Sequence, residues 1–172
     1  MTDATEHTPH PPAQPQPQHQ WLQQLVGEWT FAGQAAAAPG ESPAPFQGTE
    51  RVRALGGLWV LVEGEMPAAD TLVQWLMTLG YDPQQQRYVG TWLGSMETHL
   101  WVYDGALDAA QRVLTLETEG PRMTDGQLAR FRDVIEIQSA DRRTLTSHML
   151  GDDGQWHQIV SVTYRRQGGV DR

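Results

Sequence analysis

At 172 residues, 39% of them hydrophobic and none of them cysteine, the chain has the size of one domain with its own core, and disulfide frameworks, thiolate metal sites and cysteine nucleophiles are excluded. The formal net charge of -9 opposes a nucleic-acid partner, because such affinity comes largely from Lys and Arg neutralising phosphates. All 12 cationic side chains are Arg, so the absence of Lys removes Schiff-base chemistry, a P-loop lysine and lysine general bases together.

Asn is missing along with Lys, and both use A-rich codons, which fits a GC-rich bacterial genome. Residues 1–18 are Pro, Gln, His, Thr and acids without periodicity, a composition that predicts a disordered tail. The irregular spacing of His7, His10 and His19 gives that tail no defined metal site. Acids, Pro and Gln stand where a secretory signal would carry basic and then apolar residues, so a cytoplasmic location is expected. Apolar runs such as Leu58 to Val62 fall far short of the roughly 20 residues of a membrane helix, and no membrane partner is expected.

Trp21, Leu22, Leu25 and Val26 have helical spacing before Gly27, predicting a helix of one or two turns that plugs something. Beyond it the apolar period becomes two, and strands are predicted at 28–34, 47–55, 58–66, 71–81, 86–93, 96–103, 112–119, 127–138, 142–150 and 155–166. Gly56-Gly57, Asp82-Pro83, Gly94-Ser95, Asp104-Gly105, Asp125-Gly126 and Asp153-Gly154 are the predicted turns. The Ala-, Pro- and Gly-rich stretch 34–46 is the one long loop, a lid or a spacer, and 167–172 is read as a flexible C-terminus.

One antiparallel sheet of about ten strands has exposed edges to remove, so an all-β, up-and-down barrel over 19–166 is the expected fold. Eight strands enclose an interior that side chains just fill, so ten leave room for a lumen. Glu63, Glu65, Gln74, Glu97, His99, Arg130, Arg132, Asp133 and His148 lie within predicted strands, and a dry core could not hold that many unpaired ions. A partly wet lumen resolves this, as does an outward direction for most of them.

Leu25-Val26-Gly27-Glu28-Trp29 resembles the Gly-x-Trp signature at the first strand of lipocalin-like (calycin) barrels, where the indole closes one end and an Arg of the last strand covers it. The resemblance implies structural roles for Gly27 and Trp29, with Arg165 or its neighbour Arg166 as the covering Arg. Gly48-Thr49-Glu50, Leu55-Gly56-Gly57-Leu58-Trp59, Thr78-Leu79-Gly80-Tyr81-Asp82-Pro83, Gly90-Thr91-Trp92, Ser95-Met96 with His99-Leu100-Trp101, Leu114-Thr115-Leu116-Glu117 and Arg132-Asp133-Val134 resemble a bacterial family known only as domain of unknown function 1579. This implies a lipocalin-like or nitrobindin-like barrel and brings no established activity. Nitrobindin-like barrels bind haem through a histidine, so the resemblance also implies a haem reading with His99 or His148 as axial ligand.

Glu97, His99, Trp101 and Tyr103 alternate within one predicted strand and so share a face. Turned inward, that face offers a ligand an acid, a pH-tunable imidazole and two rings; turned outward, it is a hydrogen-bonded histidine beside a solvated Glu. Trp59, Trp75, Trp92, Trp101 and Met77 could line an apolar pocket or simply be core. Arg130 and Arg132 could clamp a carboxylate inside a fatty-acid-binding barrel or pair at the surface. Ser147 and His148, as strand neighbours, face opposite ways and cannot form a catalytic pair, and no Gly-x-Ser-x-Gly element occurs. Glu97-Thr98-His99 lacks a third metal ligand, and Asp152-Asp153-Gly154 lacks the oxygen spacing of a calcium loop. The expected ligand-binding set is therefore Glu97, His99, Trp101, Arg132, His148, Trp92, Met77 and Trp59, with no catalytic residue and no metal assigned. It points to a carrier or sensor of an amphipathic small molecule. The rival classes are a cavity isomerase or lyase with a Glu or His base, and a module whose lumen is filled by its own side chains. A homodimer through barrel faces is compatible with each.

Overall fold

In the computed structural model, which describes residues 12–36 and 42–168, ten strands close into one antiparallel barrel. They are β1 (Gly27–Ala35), β2 (Ala44–Leu55), β3 (Trp59–Ala68), β4 (Thr71–Asp82), β5 (Arg87–Gly94), β6 (Trp101–Leu107), β7 (Val113–Pro121), β8 (Leu128–Ser139), β9 (Arg142–Leu150) and β10 (Trp156–Arg166). Each pairs with its sequence neighbours, and β1 also pairs with β10 through Trp29↔Arg166 to Ala35↔Val160, so among the described residues the sheet has no free edge. The all-β, up-and-down architecture expected from the sequence is the one observed. Of the expected tail 1–18, residues 1–11 lie outside the described residues, while Pro17 and Gln18 are helical. Of the expected loop 34–46, residues 37–41 lie outside them, while Gln34 and Ala35 belong to β1 and Ala44 to Phe46 to β2. Of the C-terminal 167–172, residues 169–172 lie outside them.

Alternation decides which side chains meet inside. Trp29 and Phe31 of β1, Val60 and Val62 of β3, Met77 and Leu79 of β4, Leu114 and Leu116 of β7, Ile135 of β8 and Val162 and Tyr164 of β10 form one buried cluster. Their neighbours in sequence are the partly or fully exposed polar residues of the outer face, such as Glu28, Thr30, Arg51 and Glu63.

A short helix, α1 (Pro17–Leu22), and a single 3-10 turn, Gln23–Leu25, stop one end of the barrel. Pro at its first helical position supplies a preset φ, and the side chains of Gln16 and His19 close a capping box with the backbone. Trp21, Leu22 and Leu25 point into the barrel, and the Trp21 indole N–H donates to the Gln111 carbonyl at 2.8 Å. His19 is buried too: its Nδ1 accepts from the Gln16 amide at 3.0 Å, which leaves Nε2 to donate to the Tyr81 carbonyl at 3.1 Å. His19 is thus part of the plug, two residues inside α1, and not a residue at the boundary of a tail. Gly27 sits at φ +145, and a Cβ there would collide with the Arg166 guanidinium, so both conformation and space demand glycine.

Two expectations need correction. Residues 95–100 form a loop, and β6 begins only at Trp101, five residues after the predicted start. Asp104-Gly105 is therefore inside β6 and not a turn; the chain reverses after Asp108, whose carboxylate accepts from the Arg112 and Val113 amides at 2.7 and 2.9 Å. Gly105 suits a strand here because a Cβ would lie 2.5 Å from the Thr115 carbonyl oxygen of β7. The Arg that covers Trp29 is Arg166, with its guanidinium carbon 4.2 Å from the indole centre, whereas Arg165 is exposed on the other side of β10.

Candidate functional site

The plugged end carries the loops after β2, β4, β6 and β8, so those after β3, β5, β7 and β9 lie at the opposite, open end, where β1 also ends and β2 begins. The inner wall changes character between the two. Next to the plug it is fully buried: Leu79, Leu114 and Leu116 are 0% exposed and Tyr88 2%. Burial pushes the Tyr88 hydroxyl up to about 12, with the neighbouring Tyr81 adding to the shift.

One polar island lies in that lower half. Glu50 of β2 and Arg143 of β9, 4% and 3% exposed, form a buried ion pair, and Arg143 stacks on Tyr164 at 3.8 Å and on Trp29 at 4.8 Å. The pair satisfies both charges, and the two rings cover the guanidinium faces. Burial first, and the Glu50 carboxylate second, push the Tyr164 hydroxyl far above its ordinary value.

Toward the open end, inward-facing residues keep some contact with solvent. Asp133 and Leu145 occupy mid-strand positions of β8 and β9, Asp133 in register with the buried Leu116 and Leu145 with the buried Ile135 and Val162, yet both residues are only partly buried. Trp92, Trp101, Thr118, Phe131, Ser147 and Met149, all on inward positions nearer the mouth, are likewise partly buried. These inward positions are less completely covered than Leu79, Leu114 and Leu116 near the plug, so the packing of the inner wall loosens toward the open end.

Asp133 organises this level. It accepts from the Tyr103 hydroxyl at 2.6 Å and the Ser147 hydroxyl at 2.5 Å, tying β6, β8 and β9 together across the inner wall. Burial pushes its carboxyl above the ordinary carboxylate range, while these two bonds and the nearby His148 pull it partly back. The Tyr103 hydroxyl is raised well above its usual value, chiefly by burial and then by Asp133 and Glu97. Immediately above, Trp101 and Phe131 meet edge to face with centroids 4.9 Å apart, and the His99 ring packs edge-on against Trp101 at 4.9 Å. Gly120 makes room for both, since a Cβ there would lie 2.9 Å from His99 Nε2 and overlap the Trp101 ring. On the far side Phe31 touches Trp75 at 5.6 Å and Phe46 at 6.2 Å.

Of the residues singled out from sequence, Trp92, Trp101 and Met77 face inward, Met77 in the buried lower half. Glu97 and His99 sit on the 95–100 loop at the rim; Glu97 is exposed, and no hydrogen bond or ion pair joins the two. Three others are on the outer wall. Trp59 packs over Gly80 on the outside of β3 and β4 at the plugged end. Arg132 pairs with Glu117 at 2.7 Å and stacks on Trp156 at 4.2 Å, and His148 lies opposite Arg132 in the register. A bulge between Gln158 and Val160 is what puts Trp156 outside while Val160, Val162 and Tyr164 point in. Arg130 shares Glu117 at 2.8 Å, so the two arginines form a surface network and no lumenal carboxylate clamp.

For the haem reading, His148 faces outward from β9, and His99, at the rim, turns its Nε2 toward the Glu119 carbonyl at 3.3 Å. Among the described residues no group of three or more His, Asp or Glu could hold a metal ion. Among the described residues no helix is long and apolar enough to cross a membrane.

Tyr103, Asp133, Ser147 and Phe131 complete the site, and for Asp133 the sequence carries a signal: Phe131, Asp133, Ile135 and Ile137 alternate, so Asp133 stands in an apolar register where a carboxylate is out of place.

Comparison with curated proteins finds no match. Among solved structures the chain is similar to Rv2717c from M. tuberculosis, with a TM-score of 0.61 and 15% identity over 90% of this chain and 99% of that one. A redesigned beta barrel aligns at a TM-score of 0.46 with 10% identity, over 84% of this chain and 92% of that one. EF1p2_mFAP2b, solved bound to DFHBI, aligns at 0.43 with 14% identity, over 87% and 99%. The first supports the barrel fold at an identity that carries nothing about function. The family described as protein of unknown function (DUF1579) matches residues 14–166, nearly the whole barrel with its plug, and the chain belongs to that family.

Proposed function

We propose that the protein is a carrier or sensor that takes an amphipathic small molecule through the open end of the barrel, the polar part reaching Asp133 and the apolar part resting among Trp92, Trp101 and Phe131. The observation that carries this reading is the partial exposure of Asp133 and Leu145 at inward, mid-strand positions beneath a ring of aromatic side chains. Binding sites of this kind combine apolar walls with a few convergent polar groups. The rim loop 95–100, with Glu97 and His99, would then touch the outer part of the ligand.

Native mass spectrometry of freshly purified protein, followed by displacement with an environment-sensitive apolar dye, tests this. A co-purifying small molecule, or saturable dye binding that Trp101→Leu weakens at least several-fold, is the expected result. Dye binding indifferent to Trp101→Leu, together with a strictly empty chain, would remove the carrier reading.

A further inference from the structure

One acid of the inner wall has no cation beside it, since Arg166 is held at the plugged end over Trp29 and near Asp141. Glu50 and Arg143 neutralise each other in the lower half. Asp133 is a further inward acid, and its hydrogen-bond partners among the described residues are two neutral hydroxyls, those of Tyr103 and Ser147. His148, whose charge reaches Asp133 electrostatically, belongs to the outer wall and makes no hydrogen bond to it. A carboxylate has about four acceptor positions, so two stay open after Tyr103 and Ser147 are served. A carboxylate in a partly desolvated site without a counter-ion is costly, and a cationic ligand would supply the missing charge.

Resting on the small-molecule reading above, we propose that the ligand carries a cationic nitrogen, a protonated amine or amidine, which pairs with Asp133 while its apolar body lies against Trp101 and Phe131. Three further observations point the same way. Ring faces attract cations, and Trp101 and Phe131 stand directly above Asp133, two residues before Tyr103 and Asp133 on the same inward faces. Thr118, Cα partner of Phe131, keeps a buried hydroxyl oxygen with no hydrogen-bond partner among the described residues, an acceptor left over beside the same ring. Conversely, the wall offers a carboxylate ligand little: Arg143 is engaged by Glu50, and Arg130 and Arg132 are outside with Glu117. Tyr103 and Ser147 spend their hydroxyl protons on Asp133.

The test uses ligands that differ only in the head group: octylamine, 1-octanol and octanoate, and 2-naphthylethylamine beside 2-naphthylethanol. Each is titrated into the full chain at pH 8 by isothermal titration calorimetry, below its aggregation concentration. The expected result is that each amine binds at least tenfold more tightly than its alcohol and that octanoate binds more weakly than both. Asp133→Asn should erase the amine advantage, so that in the variant each amine binds no more tightly than its alcohol. Equal binding of amine and alcohol, or preference for octanoate, overturns the cation proposal while the carrier reading stands. An amine preference that survives Asp133→Asn also overturns it, by placing the cation elsewhere. Failure of every compound to bind overturns both. The head-group comparison in the native protein decides the matter even if the variant does not fold.

Discussion

The single residues that matter most are charged ones in the wrong register for an apolar wall. Glu50→Gln would leave the Arg143 guanidinium buried beside a neutral partner, and breaking such a pair costs about 3–5 kcal/mol. Glu50→Gln combined with Arg143→Met should recover a large part of that loss, a difference that urea denaturation of the two variants would read. Asp133 acts in the opposite sense. Its folded carboxyl is raised above the ordinary 3.8, so as pH rises the unfolded chain releases this proton first and native stability falls. Asp82, Asp108, Glu117 and Asp153 are lowered by hydrogen bonds, and their contribution is lost as pH falls. Only the first effect disappears in Asp133→Asn. The melting temperature of Asp133→Asn minus that of the ligand-free native protein should therefore grow as pH rises from about 4 toward neutral. Tyr103, Ser147, His148 and Tyr164 surround this carboxyl and remain in the variant, so a flat difference would show that its ionisation is not coupled to folding.

Elements differ in how tightly backbone fixes them. Gly105 of β6 faces the Thr115 carbonyl oxygen, which cannot move without breaking the ladder, so Gly105→Val should destabilise by about 1–3 kcal/mol in chemical denaturation. The plug, α1 with its 3-10 turn, is held by apolar side chains that are almost wholly buried. Leu22, 0% exposed, should cost about 2–5 kcal/mol when cut to Ala. If the plug were a loosely docked extra, the same substitution would leave the denaturation midpoint unmoved. The loop 95–100, by contrast, rests on His99 against Trp101 and the Glu119 carbonyl, contacts that His99→Ala can lose with little global effect.

For the molecule as a whole, the tryptophans divide by side of the wall. Trp75, Trp92 and Trp101 face the lumen, while Trp59 and Trp156 lie outside. A ligand in the lumen should shield the first group from acrylamide and leave the second unchanged. Trp101→Phe should therefore remove much of the ligand-induced change in fluorescence quenching, and Trp59→Phe should not. Equal effects from the two would place the ligand outside the barrel.

What the chain determines without its fold is the alternation, the turn residues and the plug. Nine of the ten strands lie within a few residues of where periodicity puts them, because β-branched and aromatic residues on every second position are a local property. β6 is the exception: His99, Trp101 and Tyr103 alternate through a loop into a strand, and alternation alone cannot show where pairing with β5 begins. Direction was equally hidden. Period two is symmetric between the faces, so Arg132, His148 and Trp59 read as lumenal as readily as Trp101 did, and only closure of the sheet assigned them outside. Arg165 and Arg166 differ by one residue and hence by a whole face, and the register with Trp29 chose between them. The meeting of Tyr103, Asp133 and Ser147 lies beyond any sequence pattern, because three strands bring it about and its hydrogen bonds exist only once the barrel has closed.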